Sequence, residues 1–394
     1  MFNFTATPPL ALYVHIPWCL RKCPYCDFNS HEVRDVVPEQ AYISALLADL
    51  EQELPAIWGR TIESVFIGGG TPSLMSPESI ARLLGGIRAR LKLKPGAEIT
   101  LEANPGTVDR MKFDGFREAG VNRLSIGIQS FQPALLKRIG RIHDENEAIA
   151  AFEAARQAGF DNINLDLMFA LPGQDIDQAT DDLRAATALR PEHLSWYELT
   201  IEPNTWFYRH PPERVNDDTR WEMQTAGHTL LNQAGYSRYE ISAYARVDRL
   251  CRHNLNYWQF GDYVGIGAGA HGKITAADSQ RIYRIAKVRH PRSYIETAHT
   301  IQRIASRREL SPDDVLLEFA MNALRLVHGF SAAGFTAATG LAVSAIEPGI
   351  SHATELGLIT QVRDNIMATV HGQRYLNELL QYWVTEQDSH AGQG

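Results

Sequence analysis

The 394-residue sequence has no surplus of positive charge: 38 Lys and Arg stand against 46 Asp and Glu, a formal net charge of −8. It therefore lacks the chain-wide basic field that would hold a phosphate backbone, and nucleic acid is excluded as the main partner. No stretch of about 18 residues runs free of charge, and residues 1–12 put no basic segment ahead of an apolar one. A cytoplasmic protein, neither secreted nor membrane-spanning, is expected. Cysteine is scarce. Of four residues, Cys19, Cys23 and Cys26 fall within eight positions, too close together to staple a fold of this length. In a reducing compartment they read as metal ligands. What the sequence does have is apolar material, 44% hydrophobic against 21% charged, enough for a large core.

Six short β-rich runs, at 12–16, 64–67, 98–102, 123–128, 162–168 and 193–200, are each followed by a stretch of helical period such as 38–53, 77–91 or 145–158. This alternation predicts parallel strands joined by helices, an α/β fold built as a partial (β/α)6 barrel over residues 1–245. Active sites of such barrels lie at the carboxyl ends of the strands. Gly68-Gly69-Gly70-Thr71-Pro72, Glu102-Ala103-Asn104-Pro105, Gln129 and Asp166 all fall at or just after a strand end, which predicts a shared pocket; each alone equally fits a cap or turn. Ser311-Pro312 opens a helix, and a small α+β domain of winged-helix-like order is expected over 309–385. Its strands are expected near 358–362 and 366–370 and its closing helix near 373–384. From 330 onward only Arg363 and Arg374 are basic, against six acidic side chains, the wrong sign for reading DNA. Residues 386–394 are expected to form a flexible tail.

Cys19-x3-Cys23-x2-Cys26 supplies three thiolates from one loop after the first strand. A [4Fe-4S] cluster held by three cysteines leaves one iron open to another ligand, whereas electron-transfer clusters normally take four. The alternative is a zinc site completed by His15 or His31. The cysteine spacing resembles the signature of radical S-adenosylmethionine enzymes. That resemblance implies a [4Fe-4S] cluster on Cys19, Cys23 and Cys26, with the methionyl amine and carboxylate of S-adenosylmethionine on the open iron. One electron then cleaves the sulfonium to a 5′-deoxyadenosyl radical. The runs Tyr13-Val14-His15-Ile16-Pro17-Trp18-Cys19, Gly127-Ile128-Gln129-Ser130-Phe131 and Asn164-Leu165-Asp166-Leu167-Met168 narrow the resemblance further. They resemble the branch that holds the oxygen-independent coproporphyrinogen III dehydrogenases and the HemW haem chaperones. By it, Tyr13, Tyr25, Gly69, Gly70, Thr71, Glu102, Gln129, Arg141 and Asp166 are S-adenosylmethionine contacts. The glycine loop is expected to offer free amides to the methionyl carboxylate, so that Gly70→Val weakens cofactor binding and spares the cluster.

Within that branch the dehydrogenases carry a further cysteine two residues after the third ligand, where this sequence has Phe28, and a long arm before the cluster, where only 18 residues precede Cys19. An exposed site would quench a radical, so dehydrogenase activity is the second reading and a haem chaperone the first. Cys251-Arg252-His253-Asn254-Leu255-Asn256-Tyr257-Trp258 resembles the chaperones' haem-associated segment. His253 is read either as a haem ligand or as a histidine hydrogen-bonded in the barrel wall. Cys251 is expected to stay off the cluster. Residues 246–308 are taken as this segment plus a basic linker, since 281–308 hold eight Lys or Arg and one acid, Glu296. The linker reads as a solvated face, or as a dock for haem propionates, an acidic partner or the inner face of a membrane. The resemblance further implies haem as cargo and respiratory haem proteins as recipients.

Overall fold

The computed structural model describes residues 1–383, so the expected tail at 386–394 lies outside the described residues. Six parallel strands match the six sequence runs: β1 (Leu10–Ile16), β2 (Thr61–Gly69), β3 (Lys92–Ala103), β4 (Arg123–Gln129), β5 (Ile163–Phe169) and β6 (His193–Glu198). Every residue of β4 is buried, and β1 and β5 are nearly so. Burial on both faces is why these runs read as continuous apolar stretches. Between them run α1 (Glu39–Ile57), α2 (Pro77–Arg90), α3 (Arg110–Ala119), α4 (Glu145–Gln157) and α5 (Ile176–Ala188). Local chemistry starts several of them. Ser76 caps α2, and Asp144 with Glu147 and Asp175 with Gln178 form capping boxes on α4 and α5.

The sheet is larger than the sequence suggested. After β7 (Ser237–Glu240) and β8 (Ala243–Ala245), the chain forms β9 (Asp262–Ile266), β10 (His271–Ala276), β11 (Arg281–Lys287) and β12 (Ile304–Glu309). The order is β12-β11-β10-β9-β1-β2-β3-β4-β5-β6-β8-β7. Strand β9 lies parallel to β1, so the parallel barrel wall has a seventh strand, and antiparallel strands extend both edges of an open barrel. Residues 262–309 are thus four strands with one short helix, Pro291–Thr297, before the last of them, which corrects the expected linker. Its basic residues are largely consumed inside the molecule. Lys287 Nζ lies 2.5 Å from Asp49 and 2.6 Å from Glu53 of α1, and Arg303 binds the same two carboxylates at 2.8 and 2.7 Å. Arg284 pairs with Glu318, Arg281 with Glu309 and Arg308 with Asp314.

From α6 (Pro312–Ala323), opened by a capping box of Ser311 and Asp314, the chain builds a second core with a three-stranded sheet, β13 (Phe330–Ser331), β15 (Asn365–Ala368) and β14 (Ile359–Val362). The hairpin falls where the winged-helix-like order expects it, but the closing helix is broken into Val370–Arg374 and Leu376–Leu380. Phe4, Phe260, Ile282 and Leu310 join this core and bind it to the large sheet.

The Asp49, Glu53, Lys287 and Arg303 group ties α1 to the strands two hundred residues later, and Tyr294 also donates to Asp49 at 2.8 Å. Burial pushes the Glu53 carboxyl up, but Lys287 and Arg303 outweigh it and leave it below its ordinary value. Removing one partner strands the opposite charges in the core. Asp49→Asn is therefore expected to lower unfolding free energy by about 3 kcal/mol in urea titrations, and a loss below about 1 kcal/mol would show the group adds little.

Candidate cluster and cofactor site

The three cysteines lie on the loop that leaves β1 at its carboxyl end. Backbone bonds shape this loop: His31 N donates to Pro17 O (2.7 Å), Val33 N to Cys19 O (2.9 Å) and Cys26 N to Cys23 O (3.1 Å). The glycine loop after β2 braces it from the other side, Gly70 N donating to Ile16 O and Thr71 N to Trp18 O, both at 2.7 Å. Thr71 Oγ1 lies 3.5 Å from Cys19 Sγ and accepts from Asn104 Nδ2 at 2.9 Å, and Arg141 donates to Asn104 Oδ1 at 3.2 Å. A continuous polar chain therefore runs from the first thiol to Arg141. Burial pushes the Cys19 and Cys26 thiols above their ordinary value, so a metal bound there would have to displace their protons.

The remaining expected contacts converge on the same mouth. Gly69 N donates to Glu102 Oε2 at 3.0 Å. Asp166 accepts from Ser125 Oγ and Asn164 Nδ2, each at 2.8 Å. Burial and then repulsion from Asp166 push the Glu102 carboxyl up to about 8. Gln129 has φ +69°, a left-handed backbone at the strand end, and its Oε1 accepts from Tyr197 OH at 2.8 Å. Non-glycine residues hold such angles when their surroundings fix them, and they gather at ligand sites. Tyr25 packs against the apolar cluster that includes Leu135, Met168 and Phe207, while Tyr13 OH bonds His15 Nδ1 at 3.0 Å. The structure brings these side chains together toward one end of the barrel, with Tyr13 the deepest, its ring centroid 6.5 Å from that of His253. It adds two that sequence reasoning left without a role, Asn104 and Tyr197. Inward alternation along His193, Ser195 and Tyr197 was the available signal for the latter.

The donor set suits a cluster and cofactor. Arg141 Nε is buried without a partner among the described residues, an unmet donor at the mouth. Both nitrogens of His15 are engaged, Nε2 with Asn29 O at 2.9 Å, so His15 does not complete a zinc site. Among the described residues no three His, Cys, Asp or Glu side chains converge on one ion. Thiolates on separate corner irons of a cube have no need to converge in that way.

His253 and Cys251 sit elsewhere. Both lie at the amino ends of the strands, where α7 (Arg252–Trp258) closes the barrel floor and Glu98 accepts from the amides of Arg252 and His253, each at 3.1 Å. His253 is 2% exposed, its Nδ1 is 3.0 Å from Ser64 Oγ, and Phe66 and Tyr257 flank its ring. No face of the ring is open to a porphyrin in this conformation. Cys251, its thiol pushed up by burial to about 12, lies 3.7 Å from Glu98, away from the cysteine loop.

Two outcomes follow from this geometry. The amides of Gly69, Gly70 and Thr71 already serve protein acceptors, and a Cβ at Gly70 would stand 2.5 Å from Trp18 O, backbone of the cysteine loop. Gly70→Val is therefore expected to reduce iron and sulfide per chain along with S-adenosylmethionine binding in equilibrium dialysis. Full cluster content with lost cofactor binding would restore the expectation from sequence. For Glu102, the folded chain keeps a proton that the unfolded chain releases above about 4.5, so stability falls as pH rises from there to about 8. Glu102→Gln should remove up to about 1.4 kcal/mol per pH unit of that slope in cofactor-free protein, and parallel wild-type and variant slopes would contradict it.

Residues 13–186 match the radical SAM superfamily and residues 310–375 the HemN C-terminal domain. The chain is similar to the heme chaperone HemW of Escherichia coli, 49% identical over 379 residues covering 96% of this chain and 99% of that one. It is 47% identical over 384 residues to the heme chaperone HemW of Haemophilus influenzae, with 96% and 99% covered, and 33% identical to that of Bacillus subtilis, with 95% and 99% covered. In structure it resembles the coproporphyrinogen III oxidase HemN of Escherichia coli, a radical SAM enzyme, at TM-score 0.80, with 96% of this chain and 91% of that one covered; at 22% identity this likeness speaks to fold alone. With near-complete mutual coverage at close to half identity, the chain belongs to the HemW family of radical SAM proteins.

Proposed function

We propose that the protein is a haem chaperone that carries a [4Fe-4S] cluster on Cys19, Cys23 and Cys26, binds S-adenosylmethionine at the barrel mouth, and delivers haem to respiratory haem proteins. The observation that carries this reading is the similarity to proteins named heme chaperone HemW along nearly the whole of both chains. The cluster, when bound, supplies an open iron and an electron for the sulfonium. The chain's own residues do the positioning. Thr71 and Asn104 hold the cysteine loop against the cofactor side, Glu102 and Asp166 offer carboxyl oxygens to ribose hydroxyls, and Arg141 offers its unmet Nε–H to an acceptor.

Productive dehydrogenation is the weaker reading. The residue two positions beyond Cys26 is Phe28, 57% exposed at the mouth, where the dehydrogenase pattern has a cysteine. No described helix is long and apolar enough to cross a membrane, and the basic segment proposed for membrane contact is mostly paired to carboxylates within the chain. A cytoplasmic working place follows from this reading. His253 could meet haem only if α7 left the barrel floor, since its ring is enclosed there.

Anaerobically purified protein is expected to bind hemin and to make no protoporphyrinogen from coproporphyrinogen III when given S-adenosylmethionine and a reductant. Absorption spectra and product chromatography check the two halves. Steady S-adenosylmethionine-dependent decarboxylation would replace the chaperone reading with the dehydrogenase one.

A further inference from the structure

On the outer side of the cysteine loop, a groove of about 1030 Å³ runs between the segment after that loop and α8 (Pro291–Thr297). Its floor is apolar. Val33, Val37 and Ile295 pack against the main core and turn their remaining surface into the groove, and Val36 stands 93% exposed at its edge. Two histidines enter it, His31 and His290, with ring centroids 5.8 Å apart and planes at 75°. His31 Nε2 is buried and has no hydrogen-bond partner among the described residues, an unmet polar atom of the kind that calls for a ligand. Two imidazoles on opposite sides of one metal, each nitrogen about 2 Å from it, have centroids about 6 Å apart, close to what this pair shows.

The rim carries charge of both signs, but the acids are partly occupied. Glu296 takes Arg292 at 3.1 Å, and Glu32 takes the backbone amide of Lys22 at 3.0 Å. Among the described residues Lys22 Nζ meets the carbonyl oxygens of Phe28 and Ser30 and no carboxylate; Arg34 and Asp35 complete the rim. The combination is an apolar floor, a pair of imidazoles and a flanking ammonium. It complements a flat apolar disc with a metal at its centre and carboxylates at its edge, whereas a bare ion would have no use for the valine floor. The cavity of about 420 Å³ beside Trp258 offers no comparable metal ligand among its lining residues.

We propose that haem is taken up in this groove, its iron held between His31 and His290 with one imidazole on each face, its rim against Val33, Val37 and Ile295, and its propionates toward Lys22 and Arg34. The assignment rests on the haem-chaperone reading and moves the haem from the closed barrel floor to an open surface from which it can be passed on. Because His31 and Val33 bond the backbone of Pro17 and Cys19, the groove shares a wall with the cysteine loop.

The test uses full-length, cluster-loaded protein titrated with hemin and, separately, with iron-free protoporphyrin IX. Wild type is expected to give the absorption spectrum of histidine-ligated haem. The double variant His31→Ala/His290→Ala should lose that spectrum and bind hemin at least tenfold more weakly, with protoporphyrin affinity little changed and cluster absorbance retained. Added imidazole should restore the ligated spectrum to His290→Gly. Should the histidine variants fail to take up cluster, Val36→Glu decides, since a side chain 93% exposed can be replaced without disturbing the fold. It should weaken both hemin and protoporphyrin at least fivefold. Wild-type hemin binding with unchanged spectrum and affinity in the double variant, or unchanged affinity in Val36→Glu, overturns this site and leaves the chaperone reading standing. A wild type that binds no hemin overturns the chaperone reading and this site with it.

Discussion

Two backbone hydrogen bonds, from Gly70 to Ile16 and from Thr71 to Trp18, set the position of everything at the barrel mouth. They clamp the cysteine loop against the glycine loop at a separation that excludes any side chain at Gly70. Once this contact is made, Thr71 meets Cys19, Asn104 meets Thr71, and Arg141 meets Asn104. The thiols are therefore positioned by main chain from two strands, and side chains refine the arrangement.

The barrel separates two kinds of chemistry by depth. At the mouth, carboxyl groups and amides are held with unmet or strained features, such as the elevated Glu102 and the left-handed Gln129, which suit a ligand that completes them. At the floor most polar groups satisfy one another, although His253 Nε2 and Arg123 Nε are buried without a hydrogen-bond partner among the described residues. His193 bridges Asn164 and Tyr239, and Glu98 receives the first amides of α7. Burial and the nearby Arg123 push the His253 imidazole down to about 3, which keeps it neutral in its apolar setting. Trp258, at the other end of the same helix, lies under the Arg325 guanidinium at 4.3 Å, so the helix fastens the floor to the second domain.

The six strands were legible because burial on both faces wrote most of them as apolar runs, and the candidate cluster loop because three cysteines in one loop have few other uses. The strands from 262 to 309 were hidden by their charges. Lys287 and Arg303 look solvated when read locally, since their partners Asp49 and Glu53 lie more than 230 residues away. His253 shows a similar limit, because residue type indicates what an imidazole can bind without showing which end of the barrel it occupies. Asn104 lay inside a recognised motif, yet its bridging place between Thr71 and Arg141 exists only once β2, β3 and β4 are side by side.

Strand β1 has β2 on one side and β9 on the other, and Asn29 in the cysteine loop donates to Ala268 O and Arg289 O at 2.9 and 2.8 Å. The first strand and the loop beside it thus wait for backbone that emerges from the ribosome much later. At typical elongation rates, the roughly 250 residues between β1 and its second neighbour take about 10–50 s to synthesise. Throughout that interval one edge of β1 is unpaired and the thiols are held from one side only. The order of synthesis makes the finished cysteine loop a late product in the life of the chain, complete only after the far edge of the sheet has closed over its beginning.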